Sequence, residues 1–450
     1  LSHWATGFWN PHASCVDAFG RLFTVDNDPD SLPPCRLLHI IEGGDYGYRF
    51  RNGRKGQHPF TAWNGEIPGT LPMVAGTGEA PSGILAYEHD AFPEEYLGNL
   101  IVTSWGDHRI DRFVLKPKGA SFESIAKPLI QGGENFRPVG IALAPDGSLY
   151  CSDWVLRDYN LHGQGRVWRI AAIQNEGRPF VSRQLANELS TDDLLLNLRS
   201  SRLNVRRNAA QILVDRQDSR EQVVDILQTP EASSRAKAEL LWAIANVPIE
   251  EHHFHVYGLW PHGIDLANGE TGFVYYSAMG ANTPQVPLND DPSGDGLLLV
   301  IGTMAIEQRM FDMESSPQVQ LATLNYLGSW RDYWESGMGT GEEGERYIEA
   351  AFGLSDPFLL TVAVNGMSEA LHPKSALNIV GGVSPRAQLG LGLAARIRDS
   401  RSTGILALLF DTQASETRRL AVQWAAEEGM TELRPQVEAV LQSEPMTTDL

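Results

Sequence analysis

Asp26-Asn27-Asp28-Pro29 sets hard oxygen donors at alternate positions, a spacing that suits Ca2+, although the same residue types also cap an ordinary turn. Arg137 heads a β-prone run, where it could meet an anionic group or serve a structural salt bridge. Asp153-Trp154 closes the next run, with an acid able to face a site or to cap the strand. Trp105 and His108 fall on a connection between two apolar runs. An indole there could stack on the face of a sugar or pack between strands. Further on, His252, His253, His255 and His262 gather, and His253 and His255 would share one face of a strand. No third ligand stands at clear metal spacing beside them. The acid-rich run Asn289-Asp290-Asp291-Pro292-Ser293-Gly294-Asp295-Gly296 lacks the spacing and closing Glu of an EF-hand and reads as a polar loop. Cys15, Cys35 and Cys151 are far apart in the chain, which excludes a Cys-x-x-Cys metal or redox motif and a Cys-x-x-Cys-His haem attachment.

The elements that must position these residues are written as strand, turn, strand. Residues 13–28 read as a short strand, a turn at Phe19-Gly20 and a strand ending in acids. Residues 139–153 repeat the plan around Asp146-Gly147, a hairpin signal between β-prone runs. Asn99–Trp105, Arg109–Phe113 and Arg166–Ile170 supply further strands. Repetition of this kind is how propeller blades are encoded, and at about 40–50 residues per blade the first 180 or so residues hold about three or four. A closed ring would need more chain upstream. The chain also opens on Leu1 rather than Met, which reads as a cut inside a longer protein.

Glu42-Gly43-Gly44-Asp45-Tyr46-Gly47-Tyr48, Ala80-Pro81-Ser82-Gly83, Phe92-Pro93-Glu94-Glu95-Tyr96 and Phe136-Arg137-Pro138-Val139 before Pro145-Asp146-Gly147 together resemble the glucose/sorbosone dehydrogenase-like β-propellers, which depend on pyrroloquinoline quinone (PQQ). The ending Tyr159–Ile170 is similar to the last blade of large bacterial membrane-bound dehydrogenase-like proteins, in which HEAT repeats and usually a haem c domain follow. The resemblance covers residues 5–172. It implies a periplasmic or cell-envelope oxidoreductase that holds PQQ and Ca2+, oxidises a sugar or alcohol, and passes electrons to a haem domain outside this chain. It places the cofactor entry at Trp9 and Asn10 and the metal loop at Asp26 and Asp28, and Arg137, Trp105, His108 and Asp153 join the candidate cofactor-facing groups on their own residue types. Trp9 stands where the family has an arginine, and Cys35-Arg36 where it has an acidic pair. A tryptophan can stack on a flat quinone but cannot pair with its carboxylates. The family's base is a histidine from an earlier blade, so these 450 residues are expected to be incomplete for catalysis.

From about residue 190 the apolar spacing becomes helical. Ser316-Pro317, Asp356-Pro357, Ser384-Pro385 and Ser415 each open a helix with a capping residue, in three cases followed by Pro at the first helical position. An earlier copy begins near Ser201 and contains Val205-Arg206-Arg207-Asn208-Ala209-Ala210, close to a HEAT core. Hairpins of this sort bury their faces against neighbours and stack into a solenoid. The expected fold is therefore multidomain β plus α: a partial β-propeller over 1–180, HEAT-like repeats over 188–250 and 304–450, and an irregular or β-rich insertion over 251–303.

The net charge of -20 repels phosphate backbones and anionic headgroups, which argues against nucleic acid and leaves a small neutral sugar or alcohol, or a protein partner on the solenoid. No apolar run reaches bilayer length. The rival to the dehydrogenase is a non-catalytic propeller and solenoid that binds carbohydrate or protein.

Overall fold

A computed structural model describes residues 2–29, 34–49, 61–158, 160, 162–173, 187–229, 232–245 and, with short gaps, 345–443. The histidine cluster, the acid-rich run, the whole of 251–303 and the helix start at Ser316 lie outside the described residues. The strands in chain order are β1 (Ala5–Thr6), β2 (Asn10–Val16), β3 (Leu22–Asn27), β4 (Arg36–Ile40), β5 (Gly44–Asp45), β6 (Ala75–Gly76), β7 (Pro81–Ala86) and β8 (Leu100–Ser104). There follow β9 (Arg109–Phe113), β10 (Lys116–Lys118), β11 (Ser121–Glu123), β12 (Ala126–Gln131), β13 (Pro138–Leu143), β14 (Leu149–Asp153) and β15 (Arg166–Ile170). The helices are α1 (Thr191–Leu198), α2 (Leu203–Asp215), α3 (Arg220–Gln228), α4 (Ser234–Ala245), α5 (Pro357–Ala370), α6 (Pro385–Arg398), α7 (Thr403–Phe410), α8 (Ser415–Glu427) and α9 (Arg434–Ser443).

The fold is a mixture of several β-sheets and helices, and its contacts group into two compact units that are not consecutive in the chain. One comprises Leu1–Phe8, Ile41–Pro72 and Gln308–Leu450; the other comprises Trp9–Ile40 and Met73–Glu307. In this grouping Ile41–Pro72 belongs with the C-terminal helices. Packing supplies the reason: Gly43 has φ +69°, a Cβ there would collide with the Asn365 side chain, and the Asn365 amide donates to the Glu42 carbonyl at 3.0 Å.

In the second unit, three larger antiparallel sheets run in the orders β2-β3-β4-β6, β7-β8-β9-β12 and β13-β14-β15, with the first strand of the middle sheet beside the first strands of the other two, and β10 pairs with β11 in a small antiparallel sheet of its own. The two-residue period of a strand explains how the sheets cohere. Ile84, Leu100 and Val102 join Phe23, Val25, Leu37 and Phe113 in the core toward the first sheet. Their neighbours Leu85 and Ile101 point the other way, to Ile110, Leu149 and Cys151. A third core is built by α1 to α4 and receives Ala18 and Phe19 from the β2–β3 turn. Gly20 at φ +79° lets that turn approach Trp242, which a Cβ would meet at 2.6 Å. Glu88 ties the middle sheet's hairpin to the helices through Arg206 at 3.3 Å and Arg235 at 3.1 Å.

The first unit holds the parallel pair β1–β5 and the packed helices α5 to α9. Its starts match the capping pattern in part: Asp356 Oδ1 accepts from Phe358 N, and the Ser384 hydroxyl accepts from Ala387 N. Ser415 is instead the first helical residue, with Ala414 at the cap and no side-chain bond there. No described helix is long and apolar enough to cross a membrane.

Candidate functional site

In the three larger sheets of the second unit, a row of three residues recurs in the same register along one edge. Pro11 pairs with Asp26 and Asp26 with Arg36; Pro81 pairs with Ser104 in the middle sheet, and Ser104 with Arg109; Pro138 pairs with Asp153, and Asp153 with Arg166. Each first strand carries a register shift just after its proline, so the irregularity is itself repeated. Proline, at the first or second residue of each strand, has no ladder donor to leave unpaired.

The acids of the outer rows work as clamps. Asp26 accepts the backbone N–H groups of Asn10 at 2.7 Å and Trp9 at 3.3 Å, and receives Arg36 at 2.5 Å; both side chains of that ion pair are fully buried. Asp153 accepts from Arg137 N at 2.8 Å, Val155 N at 2.9 Å and the Trp168 indole at 2.9 Å, and pairs with Arg166 at 2.9 Å. Burial alone would raise the Asp153 carboxyl, but these donors together hold it below the usual carboxylate range. Where the two acids stand, the middle row has Ser104, and its hydroxyl donates to the Glu79 carbonyl at 2.8 Å.

Four of the expected site residues come together here. The Arg137 guanidinium lies 4.6 Å over the Trp105 ring and donates to the Trp105 carbonyl at 3.2 Å, while its own amide is held by Asp153. His108, at φ +59°, binds the Phe136 carbonyl through Nδ1 at 3.0 Å. Trp154 and Trp168 flank this network with about two-fifths of their surfaces exposed (40% and 42%). Their orientations are fixed: Trp154 Nε1 donates to the Asp158 carbonyl at 2.8 Å, and Trp168 Nε1 to Asp153.

Trp9 and Asn10 are placed by Asp26 at the start of β2, with Asn10 exposed. Asp28 is buried and faces Cys35 and Glu79, and Asp26 is not among that group. A Ca2+ ion does not fit at Asp26, because a buried guanidinium already neutralises it. The arginines described at this edge do not fit the carboxylates of a quinone either, since Arg36 and Arg166 are bound to acids and Arg137 is buried over Trp105.

Sequence reasoning missed Glu79, Arg36 and Arg166 as partners, and missed the row itself. The signal was present as Asn10-Pro11, Ala80-Pro81 and Arg137-Pro138, each followed by Asp26-Asn27, Ser104-Trp105 or Asp153-Trp154. In the last two rows the tryptophan amide donates to the carbonyl of the residue before the proline, Trp105 to Ala80 and Trp154 to Arg137.

The first unit has a concavity of its own, a cleft of about 660 Å³ beside α5, α6 and α8. A chain of ions crosses it: Arg49 pairs with Asp45 at 2.7 Å and Glu427 at 3.3 Å, and Arg396 pairs with Glu427. Burial would raise the Glu427 carboxyl, yet the two arginines and Gln423 hold it below its ordinary value.

Residues 59–161 match the family model of a domain of unknown function, DUF7133. A search of curated proteins finds no match. Among solved structures, the chain is similar to a Thermus thermophilus protein described as an oxidoreductase (glucose dehydrogenase), at 19% identity and a TM-score of 0.29, over 37% of this chain and 46% of that one. It is also similar to the PQQ-bound aldose sugar dehydrogenase of Streptomyces coelicolor, at 20% identity and a TM-score of 0.27, over 37% of this chain and 45% of that one. The chain thus spans less than half the length of either structure.

Proposed function

We propose that this chain binds a neutral sugar at the shared strand edge of its second unit, as a carbohydrate-facing scaffold of the propeller type. The observation that carries this reading is the pair of half-exposed indoles, Trp154 and Trp168, fixed through their N–H groups beside the Arg137–Trp105 stack. Apolar ring faces with a few convergent polar groups suit the C–H face and hydroxyls of a pyranose. The net charge of -20 is compatible with a neutral ligand. In this reading residues 1–180 supply blades of a propeller, the helices of 188–250 and 304–450 belong to HEAT-like repeats, 251–303 is an insertion, and the protein works in the periplasm or cell envelope.

A second reading, dehydrogenation of the sugar or alcohol with PQQ and Ca2+ as cofactors and electrons passed to a haem domain, is favoured by the string of motifs over residues 5–172. The commitment of Asp26 to Arg36 favours binding without catalysis. Calorimetric titration with a panel of aldoses tests the first reading: binding that Trp154→Ala weakens at unchanged thermal stability supports it, and no binding by the intact chain rejects it. Dye reduction after incubation with PQQ, Ca2+ and the bound sugar decides the second, with turnover favouring the dehydrogenase and sugar binding without turnover rejecting it.

A further inference from the structure

Asp28, just after β3, Cys35, just before β4, and Glu79, in the loop before β7, each bring one ligand atom, a carboxylate oxygen or the thiol sulfur, to within 4.8 Å of the others. Asp28 and Cys35 are buried, at 5% and 2% exposure, while Glu79 opens to solvent. Their spacing can be compared with a coordination polyhedron. With Zn–S near 2.3 Å and Zn–O near 2.1 Å, a tetrahedral S···O edge is about 3.6 Å. The Cys35 Sγ lies 3.4 Å from Asp28 Oδ1 and 3.9 Å from Glu79 Oε2, on either side of that value, and Asn27 Oδ1 adds a further oxygen at 3.1 Å.

The surroundings fix these donors from outside the group. Ser104 Oγ and Gly106 N both bind the Glu79 carbonyl, and Glu79 N donates to Asp107 at 3.2 Å. A Cβ at Gly76 would meet Pro34 at 2.6 Å, and one at Gly78 would collide with Ser104 Oγ, so the loop is closely seated. The Asp28 amide donates to the Cys35 sulfur at 3.3 Å, a contact of the kind that orients a metal-bound sulfur.

We propose that Asp28, Cys35 and Glu79 form a binding site for one divalent ion of the zinc class. The sulfur ligand sets the selectivity: a borderline ion accepts one thiolate with two carboxylates, whereas Ca2+ takes oxygen donors alone. The three protein ligands leave the solvent side by Glu79 for water or a small anionic ligand. The site is independent of the sugar reading and involves neither Asp26 nor the indoles.

Titrating the intact chain with Co2+ tests this. The expected result is one ion per chain, with a near-ultraviolet thiolate-to-cobalt charge-transfer band and tetrahedral visible bands, discharged by Zn2+ and untouched by excess Ca2+. Cys35→Ser removes the charge-transfer band, while Cys15→Ser and Cys151→Ser keep it. Because Cys35 is buried, the exposed position supplies a second variant: Glu79→Gln weakens Co2+ binding by at least about tenfold with an unchanged circular dichroism spectrum. Co2+ bound without a thiolate band, as at a histidine site elsewhere in the chain, or a band that survives Cys35→Ser, overturns the proposal.

Discussion

Replacing Asp26 by alanine separates a structural clamp from a calcium ligand. Its carboxylate faces the Arg36 guanidinium at 2.5 Å with both side chains fully buried, and also accepts two backbone amides. Asp26→Ala strands a buried cation, a change that costs about 3–5 kcal/mol, and the orphaned amides of Trp9 and Asn10 add to it. Arg36→Met together with Asp26→Leu removes both charges and keeps the apolar volume, so it recovers most of the loss. Asp153→Ala costs less in its ionic part, because the Arg166 side chain is 42% exposed and its head returns to water. The assay is amide hydrogen exchange over Phe23–His39 in the intact chain, which reports the opening energy of β3 and β4 without assuming that both compact units unfold together. A single variant Asp26→Ala within about 0.5 kcal/mol of the parent, the range of ordinary surface changes, would refute the clamp.

Two further predictions concern one residue in each unit. His39 is fully buried against Ser121 Oγ at 3.1 Å, and burial, with Arg21 nearby, pushes its pKa from 6.5 down to about 3. Between those values the unfolded chain binds the extra proton, so its contribution to stability is complete above pH 6.5 and is lost as pH falls toward 3. At pH 5.5 the loss is about 1.4 kcal/mol. Urea midpoints at pH 7.5 and 5.5 should show this drop beyond that of His39→Gln, and equal drops would contradict it. In the first unit, Gly43→Ala combines a left-handed backbone with a clash against Asn365. It should destabilise by more than the roughly 1–2 kcal/mol of the backbone alone, read as lost exchange protection in Pro357–Ala370; unchanged protection there would count against the packing described.

Strand and helix types were legible in the sequence because each is decided by a local period. The alternation Ile84/Leu85 and Leu100/Ile101/Val102 announces strands, and Ser384-Pro385 announces a helix start. What faces what was not legible. Arg36 looked like the loss of an acidic pair, but its register opposite Asp26 makes it that acid's partner, a relation set by strand pairing ten residues away rather than by neighbouring letters. Glu42–Tyr48 carried a propeller resemblance, but the packing of Gly43 on Asn365 is decided by residues more than three hundred positions apart. Glu79 drew no notice because a lone glutamate in a Gly-Thr-Gly-Glu loop has no spacing to read; only the fold brings it to Cys35.

The middle row shows how a repeat can be diverted to a new use. Its outer copies place Asp26 and Asp153 opposite Pro11 and Pro138, where each acid neutralises the arginine of the next strand. Ser104 cannot do this, and Arg109 turns instead to Asp111 at 2.9 Å and Asp107 at 3.4 Å. The hydroxyl that replaces the acid donates to the Glu79 carbonyl, and Asp107, steadied by Arg109, accepts the Glu79 amide. One change from the repeat thus fixes both ends of the Glu79 peptide and turns its carboxylate toward Asp28 and Cys35. Ser104→Asp, which restores the outer pattern, should therefore release Glu79 and weaken Co2+ binding while leaving the sugar edge at Trp154 intact. Metal affinity unchanged by that substitution would mean that Glu79 is held by its own loop and that the row and the metal site are unrelated.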